Sequence, residues 1–209
     1  MPYTPPAASL DHLGTITNLI AHATPIAKEI TKKPALFAKL PGGQIYFDTD
    51  LELDTDGWPG GPGGDSSWQA HTSLRYNDDS SLNANTVPYF VLPGPPDWYT
   101  ALGVAKGDYA AVIFKTKLAF AVFGDVGPEK KLGEGSIELL RRLGVDRMKP
   151  NGTVVNAGID PHILTIVFPG SGDPIHRSDE ASLIAAIGTT AKSLFNALGG
   201  NADAAPLVG

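Results

Sequence analysis

The chain has no cysteine. That excludes a disulfide framework and any thiolate nucleophile or ligand, and it leaves carboxylates, hydroxyls, histidine and lysine to carry the chemistry. It leaves the compartment open. No window approaches eighteen consecutive apolar residues, so a soluble protein with no membrane span is expected. There is no extended Lys/Arg tract, and 22 acidic residues against 16 basic ones give a formal charge of -6. A nucleic-acid partner is therefore not expected, whereas a cationic ligand is admitted. The opening Met1-Pro2-Tyr3-Thr4-Pro5-Pro6 has neither the basic nor the apolar segment of a secretory signal. No Gly-x-Ser-x-Gly, phosphate loop or dinucleotide fingerprint occurs, and no cofactor is expected. His71, His162 and His176 lack metal-ligand spacing and read as structural or surface residues.

The 209 residues, 42% of them hydrophobic, suffice for one domain, and 24 Gly with 18 Pro make it loop-rich. Residues 1–43 read as a helical N-terminal segment, 44–177 as a β-rich core, 178–200 as a C-terminal helix and 201–209 as a frayed tail. Ser9 or Asp11 caps a first helical piece carrying Leu13, Ile16, Leu19 and Ile20; Pro25 opens a second with Ile26, Ala27 and Ile30, which Pro34 ends or kinks. Short β-branched and aromatic runs bounded by turn residues predict strands at 68–76, 86–92, 109–114, 118–123 and 163–168. Lys115-Thr116-Lys117 makes a hairpin of the third and fourth runs. Ser136 caps a helix with Ile137, Leu139, Leu140 and Leu143 on its apolar stripe and Arg141 and Arg142 in the last turn. Ser178-Asp179-Glu180 starts another, ending at Gly199-Gly200.

Between Gln44 and Asp56 the alternation is sharp. Ile45, Phe47, Leu51 and Leu53 share one parity; Tyr46, Asp48, Asp50, Glu52, Asp54 and Asp56 share the other. Carboxylates two apart on a strand face stand roughly 7 Å apart and repel. Basic side chains from elsewhere, a metal ion or a polycationic substrate must relieve them. Glu52-Leu53-Asp54-Thr55-Asp56-Gly57 also approximates the start of an EF-hand loop, but Gly63 stands where the bidentate Glu is due, so no metal site is assigned.

A second acidic feature lies in the stretch from Phe123 to Ser136, where Asp125 and Glu134 are nine positions apart among small and turn-forming residues. Fully extended, that chain spans up to about 30 Å, so it must fold back strongly to serve as the acid and base of a glycosidase. Equally, Asp125 could cap a turn and Glu134 be a solvated loop acid. Glu134 also precedes the Ser136 helix, whose dipole lowers a carboxyl pKa, whereas a general acid needs it raised. Glu134 is preferred as acid and Asp125 as base, because an Asp on a strand end can hold a water. Trp58, Trp68, Tyr89, Trp98 and Tyr99 lie near Gly/Pro loops, as sugar-stacking platforms or core.

Gly124-Asp125, Gly133-Glu134-Gly135-Ser136, Asp54-Thr55-Asp56-Gly57, Gln69 with Thr72, Pro88-Tyr89-Phe90-Val91 and the run 162–168 together resemble the chitosanases of glycoside hydrolase family 75. The resemblance implies a secreted endo-hydrolase of chitosan that acts with inversion, its catalytic Asp and Glu falling on Asp125 and Glu134. It also implies that this chain is a mature form. The total lack of cysteine and both terminal segments depart from the fungal pattern. Chitosan is polycationic below neutral pH, so Asp48, Asp50, Asp54 and Asp56, with Gln69, Thr72 and Tyr89, are expected to bind glucosamine units. The expected fold is α+β and β-rich: a small, mostly antiparallel barrel or sandwich, double-psi by analogy, flanked by three or four helices and acting as a monomer. A non-catalytic sugar or calcium-binding module, or a hydrolase of another glycan, are the alternatives.

Overall fold

The computed structural model describes residues 3–155 and 157–204. The opening Met1-Pro2 and residues 205–209 of the expected tail lie outside the described residues. The first helical piece is two short helices, α1 (Leu10–Leu13) and α2 (Ile16–Ala21), parted at Gly14. Ser9 is the N-cap residue of α1, with no side-chain cap bond, and Asp11 lies in its first turn. The second expected helix does not form. Strand β1 (Thr24–Pro25) pairs with β2 (Leu36–Lys39), and between them the chain runs as an irregular strap. Ile26 donates its N–H to Phe37 O at 2.9 Å, Thr31 donates to Lys130 O at 2.8 Å, and Ile26 and Ile30 pack on the barrel core. The four-residue spacing of these isoleucines, which suggests a helix, is used to cover the barrel.

Six strands close a ring. In chain order they are β3 (Ile45–Asp54), β4 (Tyr89–Pro93), β5 (Tyr109–Phe114), β6 (Lys117–Gly127), β7 (Glu134–Ser136) and β8 (Ile159–Phe168). Around the barrel the order is β3-β7-β4-β6-β5-β8, closed by β8 against β3. The β3–β7 and β4–β6 pairings are parallel and the rest of the ring antiparallel. This is the expected β-rich α+β fold, with two parallel pairings that a simple up-and-down barrel lacks. The β5–β6 hairpin turns where expected.

The alternation of β3 sorts its two faces. Ile45, Phe47, Leu51 and Leu53 join Phe90, Leu92, Val112 and Phe123 in one buried cluster, while the acidic parity faces the other way. Small Ala110, Ala119 and Ala121 give that cluster room for the larger rings. Helix α3 (Asp97–Thr100) adds Trp98 and Tyr99 to it, and α4 (Ile137–Arg142) adds Ile137, Leu139 and Leu140. Ser136 caps α4 as expected, its side chain accepting from Leu139 N–H. The last helix starts at Asp179 and runs as α5 (Glu180–Ala186), a π turn (Ile187–Ala191) and α6 (Lys192–Ala197). Leu183 and Ile187 cover Tyr89, Val91 and Tyr109 on one outer face, while Phe195 meets Leu13, Ile16 and Ile166 on another.

The run 68–76 is not a strand. Gln69 N–H goes to the Asp56 carboxylate at 2.6 Å, Ser73 N–H to Asp125 at 2.9 Å and Leu74 N–H to Gly124 O at 2.9 Å. Those donors serve side chains and a bulge, so they are not available to a ladder.

Candidate active site

Asp125 and Glu134 do not share a loop. Asp125 lies within β6 and Glu134 opens β7, and β4 runs between these strands. Val91 is the register partner of both. A register shift between Phe90 and Val91 skips Gly124, so the bulge brings Asp125 opposite Val91. Glu52 on β3 pairs in turn with Glu134, so Glu52, Glu134, Val91 and Asp125 form one row across the sheet. Gly133 lets β7 close on β3. Its φ is +93°, and a Cβ there would stand 2.2 Å from Asp50 O.

Gly127 sets the distance between the two acids. A Cβ on it would come within 2.5 Å of Glu134 Oε2 and 3.0 Å of Val91 Cγ1, so the Glu134 side chain reaches over Val91 to β6. Gly127 is two residues past Asp125, one same-face step of about 7 Å. The Glu134 carboxyl therefore lies over the position one same-face step beyond Asp125 on β6.

Both acids are buried, Asp125 to 5% exposure and Glu134 to 8%. Asp125 Oδ1 accepts from Ser73 N–H at 2.9 Å, Ser73 Oγ at 2.5 Å and Val126 N–H at 2.7 Å. These bonds fix the carboxylate and leave Oδ2 without a partner among the described residues. Glu134 Oε1 accepts from Lys131 Nζ at 2.6 Å, while Oε2 is buried and takes no hydrogen bond. Burial raises the Glu134 pKa, and Lys131 only partly opposes it. The helix dipole that should lower it is outweighed.

The two acids line a cavity of about 360 Å³ with Glu52, Asp54, Asp56, Asp65 and Lys131. Six carboxylates thus face one lysine among the described lining residues. Tyr89, fully buried, donates its hydroxyl to Asp54 Oδ1 at 3.1 Å and to Asp56 O at 3.1 Å. Asp56 N–H donates to Asp54 Oδ1 at 2.8 Å. Burial first, then the Asp56 charge, pushes Asp54 up to about 8; burial likewise pushes Asp56 up to about 6, against the Gln69 N–H bond. Carboxylate oxygens of Asp54, Asp56 and Asp125 all lie within 4.8 Å of one another. Three such ligands fall short of the six to eight oxygens of a calcium site, so the trio is not read as an EF-hand remnant.

The expected site residues divide. Asp54, Asp56 and Gln69 line the cavity with Asp125 and Glu134. Tyr89 lies beneath it and holds Asp54. Asp50 borders an adjoining groove of about 490 Å³, which shares Glu52 with the cavity and runs past Lys32 and Arg147 to Asp160. Lys32 pairs with Asp50 at 2.8 Å and with Glu52, and Lys131 pairs with Glu52 at 2.9 Å, so lysines from other segments relieve the middle of the acidic row. Asp48 does not line this cavity but borders a separate groove with Asp50 and Asp160. It is fully buried, accepting from Tyr3 OH at 2.7 Å and bonded to His162 Nδ1 at 2.8 Å. Thr72 is buried as well, donating to Leu74 O and accepting from Leu82 N–H, which is a structural role. Trp98 packs edge-on to Phe37 and Tyr99, as core.

Sequence reasoning missed Ser73 and Lys131. Lys131 stands three residues before Glu134, a spacing that could have pointed to it. Ser73 carries no signal, because its partner is 52 residues away.

A family model described as fungal chitosanase of glycosyl hydrolase group 75 matches residues 51–201. No curated protein matches the chain. The family match spans the cavity from Glu52 to Glu134 and excludes the β1–β2 hairpin.

Proposed function

This chain belongs to the fungal chitosanase family of glycosyl hydrolase group 75, and from that premise we propose an endo-acting, inverting hydrolase of β-1,4 glucosamine linkages with Glu134 as acid and Asp125 as base. The family supports glycoside hydrolase activity on chitosan. One observation carries the finer reading. Glu134 lies over Gly127, one same-face strand step of about 7 Å beyond Asp125 along β6, a placement that leaves room for a water on Asp125, as inversion needs.

The roles follow from the surroundings. Glu134 is the acid because burial favours its protonated form. Asp125 is the base because Ser73 and Val126 fix one oxygen and leave the other for water. Glu134 protonates the glycosidic oxygen as the bond breaks, and water attacks the opposite face of the sugar and gives its proton to Asp125.

The charge of the cleft supports the substrate. Six acids around one lysine favour protonated glucosamine over neutral N-acetylglucosamine. The groove continuing past Glu52 to Asp160 suits a long chain bound across the acids, hence endo cleavage. All these residues come from one chain, so the reading needs no second copy. An extracellular setting follows from the polymer; no helix among the described residues is long and apolar enough to cross a membrane. Reducing-end release from fully deacetylated and fully acetylated oligomers tests the substrate. The deacetylated oligomer should be cleaved at least tenfold faster, and equal rates would overturn the reading.

A further inference from the structure

The proposed acid and base account for Glu134 and Asp125 but give no work to Asp54 and Asp56, whose oxygens converge on Asp125 within 4.8 Å. The centre of a triangle with such sides lies about 2.8 Å from each corner, which is hydrogen-bond length. The hydrogen bonds to each carboxylate fall on a single oxygen. Asp125 Oδ1 takes Ser73 and Val126, Asp54 Oδ1 takes Tyr89 OH and Asp56 N–H, and Asp56 Oδ1 takes Gln69 N–H. Each Asp keeps a second oxygen with no partner among the described residues. Glu134, more than nine-tenths buried and lining the same cavity, keeps Oε2 unpartnered as well. The oxygens left over on Asp54, Asp56 and Asp125 can therefore hold a small hydrogen-bonding molecule.

Water donates two protons and accepts at its lone pairs, so it can satisfy two carboxylates and one carboxylic acid, but not three carboxylates. Three like charges this close also cannot all be ionised together. We propose that Asp54 and Asp56 are further catalytic residues that hold the hydrolytic water: protonated Asp54 donates to it, Asp56 accepts from it, and Asp125 accepts the proton it loses. The upward shift of Asp54 to about 8 agrees with that division. In the step itself the water oxygen bonds to the anomeric carbon, one water proton passes to Asp125, and the glycosidic bond breaks as its oxygen takes the Glu134 proton. Asp54 and Asp56 end as they began. The inference rests on the hydrolase reading above.

Asparagine substitutions separate the two roles. In Asp54→Asn the amide oxygen takes the Tyr89 and Asp56 donors and the NH2 group faces the water, preserving the donor. In Asp56→Asn the amide oxygen takes Gln69 N–H, and the NH2 group puts a donor where an acceptor is needed. The wild-type enzyme is first assayed on chitosan; if it is inert, the hydrolase reading fails, whatever the water's cradle. With an active wild type, Asp54→Asn, which keeps the donor, should retain at least tenfold more kcat than Asp54→Ala. Asp54→Ala and Asp56→Asn should each lose at least 100-fold in kcat with KM within threefold. Circular dichroism and thermal unfolding check the fold, and Asp56→Ala, for which the same loss is expected, replaces Asp56→Asn if that variant does not fold. Equal damage from the two asparagine variants, an active variant at Asp56, or losses confined to KM would overturn the proposal.

Discussion

Asp125 and Glu134 stand in one register row on opposite sides of Val91, and Glu134 reaches across Val91 to the space that Gly127 leaves open. Strand pairing therefore sets their separation, and the flexibility of the segment between them does not. Ser73 and Lys131 then aim the two carboxyl groups.

Gly127→Ala tests that geometry without touching either acid. Its methyl would stand 2.5 Å from Glu134 Oε2, so the carboxyl must move. The expected result is a loss of tenfold or more in kcat at a stability cost of about 1–3 kcal/mol, typical of overpacking. Steady-state kinetics and thermal unfolding measure both. Wild-type kcat would show that Glu134 does not need this position.

Asp125→Asn and Glu134→Gln should each lower kcat by about 100-fold to 10,000-fold, the usual contribution of a general acid or base. Unfolding temperatures should stay close to that of the wild type, because each amide keeps the size and shape of the acid it replaces. Substantial turnover in either variant would remove that residue from its role.

Asp54 makes stability depend on pH. Its carboxyl titrates near 3.8 when unfolded and near 8 when folded, and burial is the main cause. The stability this group contributes is full below about pH 4 and is lost as pH rises towards 8. Asp54→Asn removes the dependence. Relative to the variant, the wild type should lose unfolding temperature steadily between pH 4 and pH 8, as differential scanning calorimetry would show. A constant difference would contradict the shift.

Asp48 was expected to contact substrate, yet it is sealed beneath Tyr3 and His162. Tyr3→Phe removes one of its two side-chain partners and should cost about 1–3 kcal/mol of stability. Its kcat and KM on chitosan should match the wild type. A raised KM would return Asp48 to the cleft.

The sequence shows much of this arrangement where the signal is local. The alternation of β3 separates Leu51 and Leu53 from Glu52 and Asp54, and the β5–β6 hairpin and the Ser136 cap follow from neighbouring residues. The catalytic pair is visible as two acids among glycines, but its geometry is not. Val91, which separates the two, lies 34 residues before Asp125, and no local pattern announces that β4 inserts between β6 and β7. Residues 26–30 mislead for the same reason: Ile26 and Ile30 have helical spacing, but their partners are strands from elsewhere in the chain. Thr72 and Tyr89 sit close to the site in sequence motifs yet act under its floor.

The most direct test of the account is NMR of the anomeric proton in the first product released from a fully deacetylated glucosamine hexamer. Inversion, with a water held between Asp125 and the sugar, predicts the α-anomer first, followed by slow mutarotation. Initial release of the β-anomer would contradict the assignment of Asp125 as a base acting through water.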